Sequence, residues 1–216
     1  MTLESSKNLG GIGAILLFIG VIPFVQYLWV IGLVGVILVL VALNGLANYY
    51  SERGIFNNVI YGLIAGIVGG IIAVAVAIFT VLTSLTDFLH TIFPTWNGDW
   101  STLQGLTPDT SNLALADIVP FVAGIILVIA VMWIFAIIAA FFTRRSLKLL
   151  STKSSVGLFS TAGLLLLIGA VLLILFILPG AILMWISALI LAIAFFTMKP
   201  TEQPAPTAAT QPPTPV

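Results

Sequence analysis

Long apolar stretches without charge dominate the chain. No charged residue occurs between Leu9 and Tyr50, or between Val156 and Met198. A hydrocarbon core of about 30 Å takes roughly 20 helical residues, so each stretch is about two membrane spans long and must fold back on itself. The breaks are predicted near Pro23 and Gln26 in the first stretch and at Pro179-Gly180 in the second. The pattern therefore predicts two apolar hairpins.

Two further apolar segments lie between the hairpins. Together they predict an all-α, polytopic transmembrane helical bundle over residues 1–199, followed by a disordered, Pro/Thr-rich cytoplasmic tail over 200–216. The predicted spans are residues 9–22, 28–47, 59–82, 118–142, 157–178 and 182–197, with an outer loop at 83–116. Four spans is the alternative, if a hairpin enters the membrane without crossing it.

Composition supports a membrane protein and excludes several classes. Of the residues, 61% are hydrophobic and 6% are charged, whereas a soluble domain carries about 25% charged residues. A soluble enzyme, a nucleic-acid-binding protein and a disordered chain are excluded. The chain contains no cysteine, which rules out disulfides and Cys-ligated metals.

The distribution of charge predicts the topology. In the six-span arrangement all basic residues fall on one side, and four of the seven acidic residues lie between spans 3 and 4. The basic residues are Lys7, Arg53, Arg144, Arg145, Lys148, Lys153 and Lys199. The positive-inside rule therefore places both termini in the cytoplasm and the outer loop outside the cell membrane.

The two hairpins show a possible internal repeat. Ser5-Ser6 precedes an apolar run ending at Gly20, and Ser154-Ser155 precedes a similar run ending at Gly169 with the same spacing. A duplicated hairpin, formed by spans 1–2 and 5–6, explains the match. Chance similarity between two Leu/Ile-rich helices explains it equally well.

Small residues mark a packing face on span 3. Gly62, Gly66 and Gly70 recur every four residues, with Gly69 and Ala73 in an adjacent row. Membrane helices associate through such residues because these allow the backbones to approach closely. We expect ordinary packing within the chain, with span 3 in the middle of the bundle; a dimer seam is the alternative.

Polar groups at membrane depth are rare. No ionisable residue lies deep in a span, and such groups usually mark catalytic sites or ion paths. Asp117, at the outer end of span 4, is expected to cap the helix, with cation binding as the alternative. Trp133 lies mid-span and needs an acceptor for its indole N–H. No catalytic residue, cofactor or metal site is predicted.

The loops carry the remaining candidates. An amphipathic helix is predicted over 85–93, on the outer interface or as an extension of span 3, and Pro94 ends it. His90, Asp87 and Asp99 are conceivable metal ligands, but a solvated loop is the expected interpretation. On the inner side, basic residues in 143–155 are expected to fix the topology; contact with a lipid headgroup or a partner is the alternative. These are Arg144, Arg145, Lys148 and Lys153.

Two sequence stretches carry a family resemblance. Residues 3–17, LESSKNLGGIGAILL, and 31–38, IGLVGVIL, resemble an archaeal family of polytopic membrane proteins, domain of unknown function 996. The resemblance extends through the second hairpin, leaving out the tail. It implies an archaeal cell membrane and supplies no activity and no functional residue.

These observations favour a non-catalytic membrane protein, such as a structural or accessory subunit of a membrane assembly. Its expected partners are the lipid bilayer and, as an alternative possibility, other membrane subunits or a second copy; nucleic acid is not expected. The competing hypothesis is a passive transporter or channel for a neutral or lipid-like substrate. An intramembrane enzyme is not expected, because the spans lack a nucleophile–base pair and paired carboxylates.

The absence of native cysteine makes the topology directly testable. Ser101→Cys should react with a membrane-impermeant thiol reagent in intact cells, because residue 101 lies in the predicted outer loop. Ser151→Cys should react only after permeabilisation. Labelling of both in intact cells, or of Ser151→Cys alone, would overturn the assignment.

Overall fold

The computed structural model describes residues 2–20, 28–111 and 113–199, and over these ranges the chain is helical without strands. The predicted all-α class is confirmed. The helices are α1 (Leu3–Gly20), α2 (Leu28–Tyr49), α3 (Arg53–Thr80), α4 (Thr86–Ile92), α5 (Leu115–Ser154), α6 (Leu158–Leu172) and α7 (Ile177–Thr197). The predicted break near Pro23 and Gln26 and the tail 200–216 lie outside the described residues.

Two long rods run through the structure. A π-helical turn, Val81–Leu85, joins α3 to α4, so that Arg53–Ile92 forms one apolar rod of 40 residues. Helix α5 is also 40 residues long. At about 1.5 Å per residue each rod is about 60 Å long, whereas α2 and α7 are each about 30 Å long. The amphipathic segment predicted over 85–93 therefore extends span 3.

The six long helices form a closed ring. Going round it, α3 packs on α5, α5 on α6, α6 on α7, α7 on α1 and α1 on α2, while α2 meets α3 in a looser junction. Helix α3 is thus one member of the ring. The prediction that it occupies the middle of the bundle is wrong, because its packing is mainly against α5 and much of its length is exposed.

The tightest packing lies at the end of the ring that carries Lys7, Arg53, Lys153 and Lys199, called here the basic end. The largest fully buried side chains are there, including Phe159 on α6 and Phe195 on α7. Their rings meet edge to face with centroids 5.1 Å apart, a favoured aromatic geometry. Residues of all six long helices join this core cluster: Leu3, Ala14, Leu43, Leu46, Ile55, Leu150, Phe159 and Phe195 among them.

The turn between α6 and α7 is not at the predicted Pro179-Gly180. It lies just before Ile177, where the backbone N–H groups of Leu175 and Phe176 donate to the carbonyl of Leu172. Pro179 is in the first turn of α7, where a missing N–H breaks no helical hydrogen bond. Gly180 serves close packing, because a Cβ there would lie 2.8 Å from Leu173 Cα.

The segment predicted as an inner loop, 143–155, is mostly helical. Helix α5 continues to Ser154, and Ser155 ends it in the left-handed conformation with a φ of 56°. Arg, Lys and Leu are good helix formers and neither Gly nor Pro interrupts them. A helix can therefore continue beyond the predicted end of span 4 at residue 142.

Two indoles bind helices together. Trp133 on α5 donates its Nε1–H to the carbonyls of Ala170 (3.0 Å) and Val171 (3.3 Å), in the last turn of α6. Trp185 on α7 donates to the carbonyl of Phe18 at 2.9 Å and stacks on its ring, with centroids 4.4 Å apart. The bond from Trp133 satisfies carbonyls in the last turn of α6, where the helical ladder supplies no donor.

Four described segments are long and apolar enough to cross a membrane. They are Val30–Tyr49, Arg53–Ile92, Leu115–Ser154 and Ile177–Thr197. Leu158–Leu172 is apolar but shorter. The polytopic arrangement is thus compatible with a membrane, at a coarser level than the six predicted spans.

The Trp133 contact predicts a measurable loss of stability. Trp133→Phe keeps an aromatic ring but leaves the carbonyl of Ala170 without its donor, which should lower the free energy of unfolding by about 1 kcal/mol. Trp100→Phe, at an exposed indole in the outer loop, is the matched control. Thermal unfolding in one detergent compares the two. Equal midpoints would show that the interhelical bond contributes nothing.

Candidate functional site

A cavity of about 510 Å³ lies at the centre of the ring. All six long helices contribute to its wall, so it exists only when the whole ring is assembled. The lining residues are Leu17, Val36, Val39, Leu40, Val59, Gly62, Leu63, Gly66, Ile67, Thr143, Leu147, Leu166, Met184, Ser187, Ala188 and Leu191.

Glycines of α3 shape one wall. A Cβ on Gly62 would lie 2.9 Å from the carbonyl oxygen of Ala139, so this glycine lets α3 approach α5. Gly66, one turn further on, has no atom within 4 Å of the position that a Cβ would occupy. Gly62 is therefore a packing residue, whereas Gly66 leaves space.

The polar side chains in the wall are already satisfied. Thr143 Oγ1 donates to the carbonyl of Ala139 at 2.9 Å, and Ser187 Oγ donates to the carbonyl of Ala162 at 2.7 Å. Since each hydroxyl hydrogen is engaged, neither is offered to a ligand. No lining residue carries a charge.

The cavity is closed towards the basic end and open beside α3. Val39, Leu147 and Leu191 line it and also belong to the buried core cluster, which forms its floor. Leu63 and Ile67 are its exposed large apolar lining residues. Because α2 and α3 form the loosest junction of the ring, the opening lies on that side. The cavity is chemically suited to an apolar group and unsuited to an ion.

The outer loop is a compact polar structure. Trp96 is buried and donates its indole N–H to the carbonyl of Asp99 at 2.7 Å. The hydroxyl and backbone N–H of Ser101 donate to the Asp99 carboxylate, and they lower its pKa; Ser111 does the same for Asp109. Both carboxylates are therefore charged at neutral pH and fix the local turns.

The loop does not assemble the conceivable metal site. The His90 ring contacts the indole of Trp96, with centroids 4.9 Å apart, and Asp99 is engaged by Ser101. Over the described residues, no three His, Cys, Asp or Glu side chains lie close enough to hold a metal ion.

A family model described as a protein of unknown function (DUF996) matches residues 31–190. This chain belongs to the DUF996 family. The match includes most of the ring, since it runs from α2 into α7.

A curated relative extends the likeness to nearly the whole chain. The uncharacterised protein MJ1644 of Methanocaldococcus jannaschii is 28% identical over 200 residues, covering 92% of this chain and 94% of the relative. No solved structure matches the chain. The DUF996 family and this relative agree with the predicted resemblance, and neither carries an activity that could be assigned to the cavity.

In this DUF996 member the predicted packing residues fall into two groups. A Cβ on Gly69 would overlap the side chain of Phe135 on α5, and Ala73 is buried. Gly62 and Gly69 therefore lie against α5. Gly66 and Gly70 have open space around their Cβ positions. The four-residue spacing therefore does not define one packing face.

Asp117 lies at the start of α5. It is the third helical residue, and its Oδ2 accepts a hydrogen bond from the backbone N–H of Ala114 at 3.0 Å. The carboxylate satisfies a donor just outside the helix and lies near the positive end of the helix dipole.

The predicted basic residues surround the basic end without forming one site. Lys153 pairs with Glu52, with Nζ and Oε2 3.4 Å apart, and Arg144 packs on Gly163 of α6. Arg145 and Lys148 are exposed. The pair between Lys153 and Glu52 links the end of α5 to the start of α3.

The cavity itself was not predicted from the sequence. Leu166 and Met184, for example, are indistinguishable in sequence from lipid-facing or core residues. Gly66 gives no usable sequence signal either, because it looks like the packed Gly69 in the sequence and its open Cβ position is visible only in the structure.

The contrast between Gly69 and Gly70 predicts opposite outcomes for one substitution. Gly69→Ala should lower the free energy of unfolding by roughly 1–3 kcal/mol, because the added methyl overpacks the contact with Phe135. Gly70→Ala should leave stability unchanged or raise it slightly. Thermal unfolding of the two variants in the same detergent tests this. Equal destabilisation would mean that both glycines are packed.

Proposed function

We propose that this protein crosses the cell membrane six times with both termini in the cytoplasm. Three observations support this arrangement. Four segments are long and apolar enough to span; α1 and α6 pack against α2 and α7; and Lys7, Arg53, Lys153 and Lys199 lie at one end of the ring. Lys7 Nζ donates to the carbonyl of Met198 at 3.2 Å, so the start of α1 and the end of α7 lie at the same level.

We further propose that the hairpins α1–α2 and α6–α7 arose by duplication. The interval between Gly20 in α1 and Gly169 in α6 equals that between Ser5 and Ser154. Gly20 lies close to Gly32 in the first hairpin, and Gly169 lies close to Gly180 in the second. The repeated spacing and the presence of a glycine–glycine contact in each hairpin are the support; Gly180 lies one position before the residue that the spacing pairs with Gly32.

A cysteine at the α6–α7 turn distinguishes six spans from four. Leu175 is 69% exposed. In the six-span topology Leu175→Cys should react with the impermeant reagent in intact cells, because the turn then reaches the outer surface. Ser101→Cys in the same cells is the positive control. If Leu175→Cys reacts only after solubilisation in detergent, the hairpin ends inside the bilayer.

The function that the geometry supports best is that of a non-catalytic accessory subunit in a membrane assembly. The single observation behind this proposal is the length of the rods formed by α3–α4 and α5, which are about twice as long as the hairpins. Their outer halves pack on one another, as in the contacts of Thr80 with Gly124 and of Phe88 with Phe121. The rest of their surface carries exposed apolar side chains: Val74, Phe79, Leu82, Val119, Val122 and Ile126.

That exposed surface has room for another helix. Ala75 and Ala123 are exposed among the larger side chains, and small residues allow a neighbouring helix to approach closely. Over the same described chain, hydroxyls at membrane depth such as those of Thr143, Ser187 and Ser146 donate to backbone carbonyls. Such engagement supports a packing role for them, in place of nucleophilic chemistry.

Native mass spectrometry after gentle extraction from the producing cell tests the accessory role. We expect stoichiometric association with another polypeptide. Ala123→Trp should weaken that association at least about tenfold, because a large ring blocks close helix approach. Ala181→Trp, at an exposed alanine of α7, is the matched control. Recovery of the unmodified chain without another polypeptide would contradict the proposal.

A second candidate, passive transport of a neutral or lipid-like substrate, is favoured by the central cavity. Flux of such substrates across reconstituted liposomes is the corresponding test. Substrate-dependent flux above that of protein-free liposomes would support transport; its absence with a correctly folded protein would count against it.

A further inference from the structure

We infer that the central cavity is a binding site for one aliphatic chain of a membrane lipid, which enters sideways between α2 and α3. The site is separate from the exposed rods that carry the accessory role. Chain binding is expected whether the protein acts as a subunit or as a transporter.

The lining chemistry determines the class of ligand. Leucine, valine, isoleucine, methionine, alanine and glycine make up the wall, with Thr143 and Ser187 donating to backbone carbonyls. A peptide, an ion or a lipid headgroup would lose its hydrogen bonds to water and receive none in return, which is costly for a buried polar group. A hydrocarbon chain makes no hydrogen bonds to water, so its burial carries no such cost.

The volume matches a single chain. A methylene group occupies about as much space as a water molecule in the liquid, about 30 Å³, so 510 Å³ holds on the order of fifteen carbons. This is the length of one lipid chain. The second chain and the headgroup of such a lipid therefore remain outside the opening.

The position of the opening determines the source of the ligand. The floor of the cavity is the tightly packed core at the basic end, which leaves no path from that side. The exposed lining residues Leu63 and Ile67 lie on α3 beside the loose junction with α2. In the proposed six-span arrangement this junction faces the bilayer. Lipid chains are therefore the apolar molecules that can reach the opening.

Gly66 provides a way to fill the cavity without disturbing the ring. It lines the cavity and has open space at its Cβ position. Gly70 is one turn further along α3, has equally open space, and is not a lining residue. The pair Gly66→Trp and Gly70→Trp therefore adds the same bulk inside and outside the cavity.

Photo-crosslinking tests the inference. The full chain is reconstituted in phosphatidylcholine vesicles containing phosphatidylcholine with a diazirine in one acyl chain, irradiated and digested, and the labelled residues are mapped by mass spectrometry. In the unmodified protein we expect label on inward-facing residues of α7, such as Met184 and Ala188, besides label on outward-facing residues such as Leu189. Gly66→Trp should reduce the α7 label about fivefold or more by occupying the cavity, and Gly70→Trp should leave it within about twofold.

Thermal unfolding of each variant establishes that the ring is intact. Ala188→Phe, which fills the cavity from the opposite wall, should produce the same loss of label and replaces Gly66→Trp if that variant does not fold. Label confined to outward-facing residues in the unmodified protein would overturn the inference. So would inward label that survives both filling substitutions in folded protein.

Discussion

The structure depends on close approach of helix backbones through glycine. In the first hairpin a Cβ on Gly13 would lie 2.9 Å from the carbonyl oxygen of Gly35, and a Cβ on Gly35 would lie 2.7 Å from that of Gly13. Gly169 and Gly180 make a similarly close contact in the second hairpin. Because lipid supplies little hydrophobic force between helices, such contacts replace it through van der Waals packing. Two tight hairpins are the result.

The tight hairpins and the long rods together explain the cavity. The hairpins α1–α2 and α6–α7 are joined through α1 and α7, where Trp185 donates a hydrogen bond to the carbonyl of Phe18. The second hairpin is joined to α5 by the hydrogen bond from Trp133 to the end of α6. Bulky side chains fill the centre at the basic end, where Phe159 and Phe195 meet. Further from that end Gly66 leaves α3 without a side chain at the cavity wall, and space remains.

Physical regularities explain which features could be predicted from the sequence. Length and hydropathy located every long helix, because an apolar run of about 20 residues has few alternatives to a helix in lipid. The predicted position of the α6–α7 turn is wrong because Pro179 lies in the first turn of α7 and Gly180 allows close packing of α7 on α6. The actual turn consists of apolar residues, which give no turn signal. Gly66 and Gly69 look alike in sequence, and only the direction of each Cα–Cβ bond separates the open position from the packed one.

The central claim is that the first and last hairpins close a ring around the cavity. A double variant, Phe18→Cys with Trp185→Cys, tests this most directly because the native rings stack there and the chain has no other cysteine. A short bifunctional thiol reagent should link the two cysteines within one chain in reconstituted membranes. Pairing Phe18→Cys with Leu127→Cys, on the outer half of α5, should give no such link. If both single cysteines react with the reagent but Phe18→Cys and Trp185→Cys never become joined, the ring is not closed and the cavity does not exist as described.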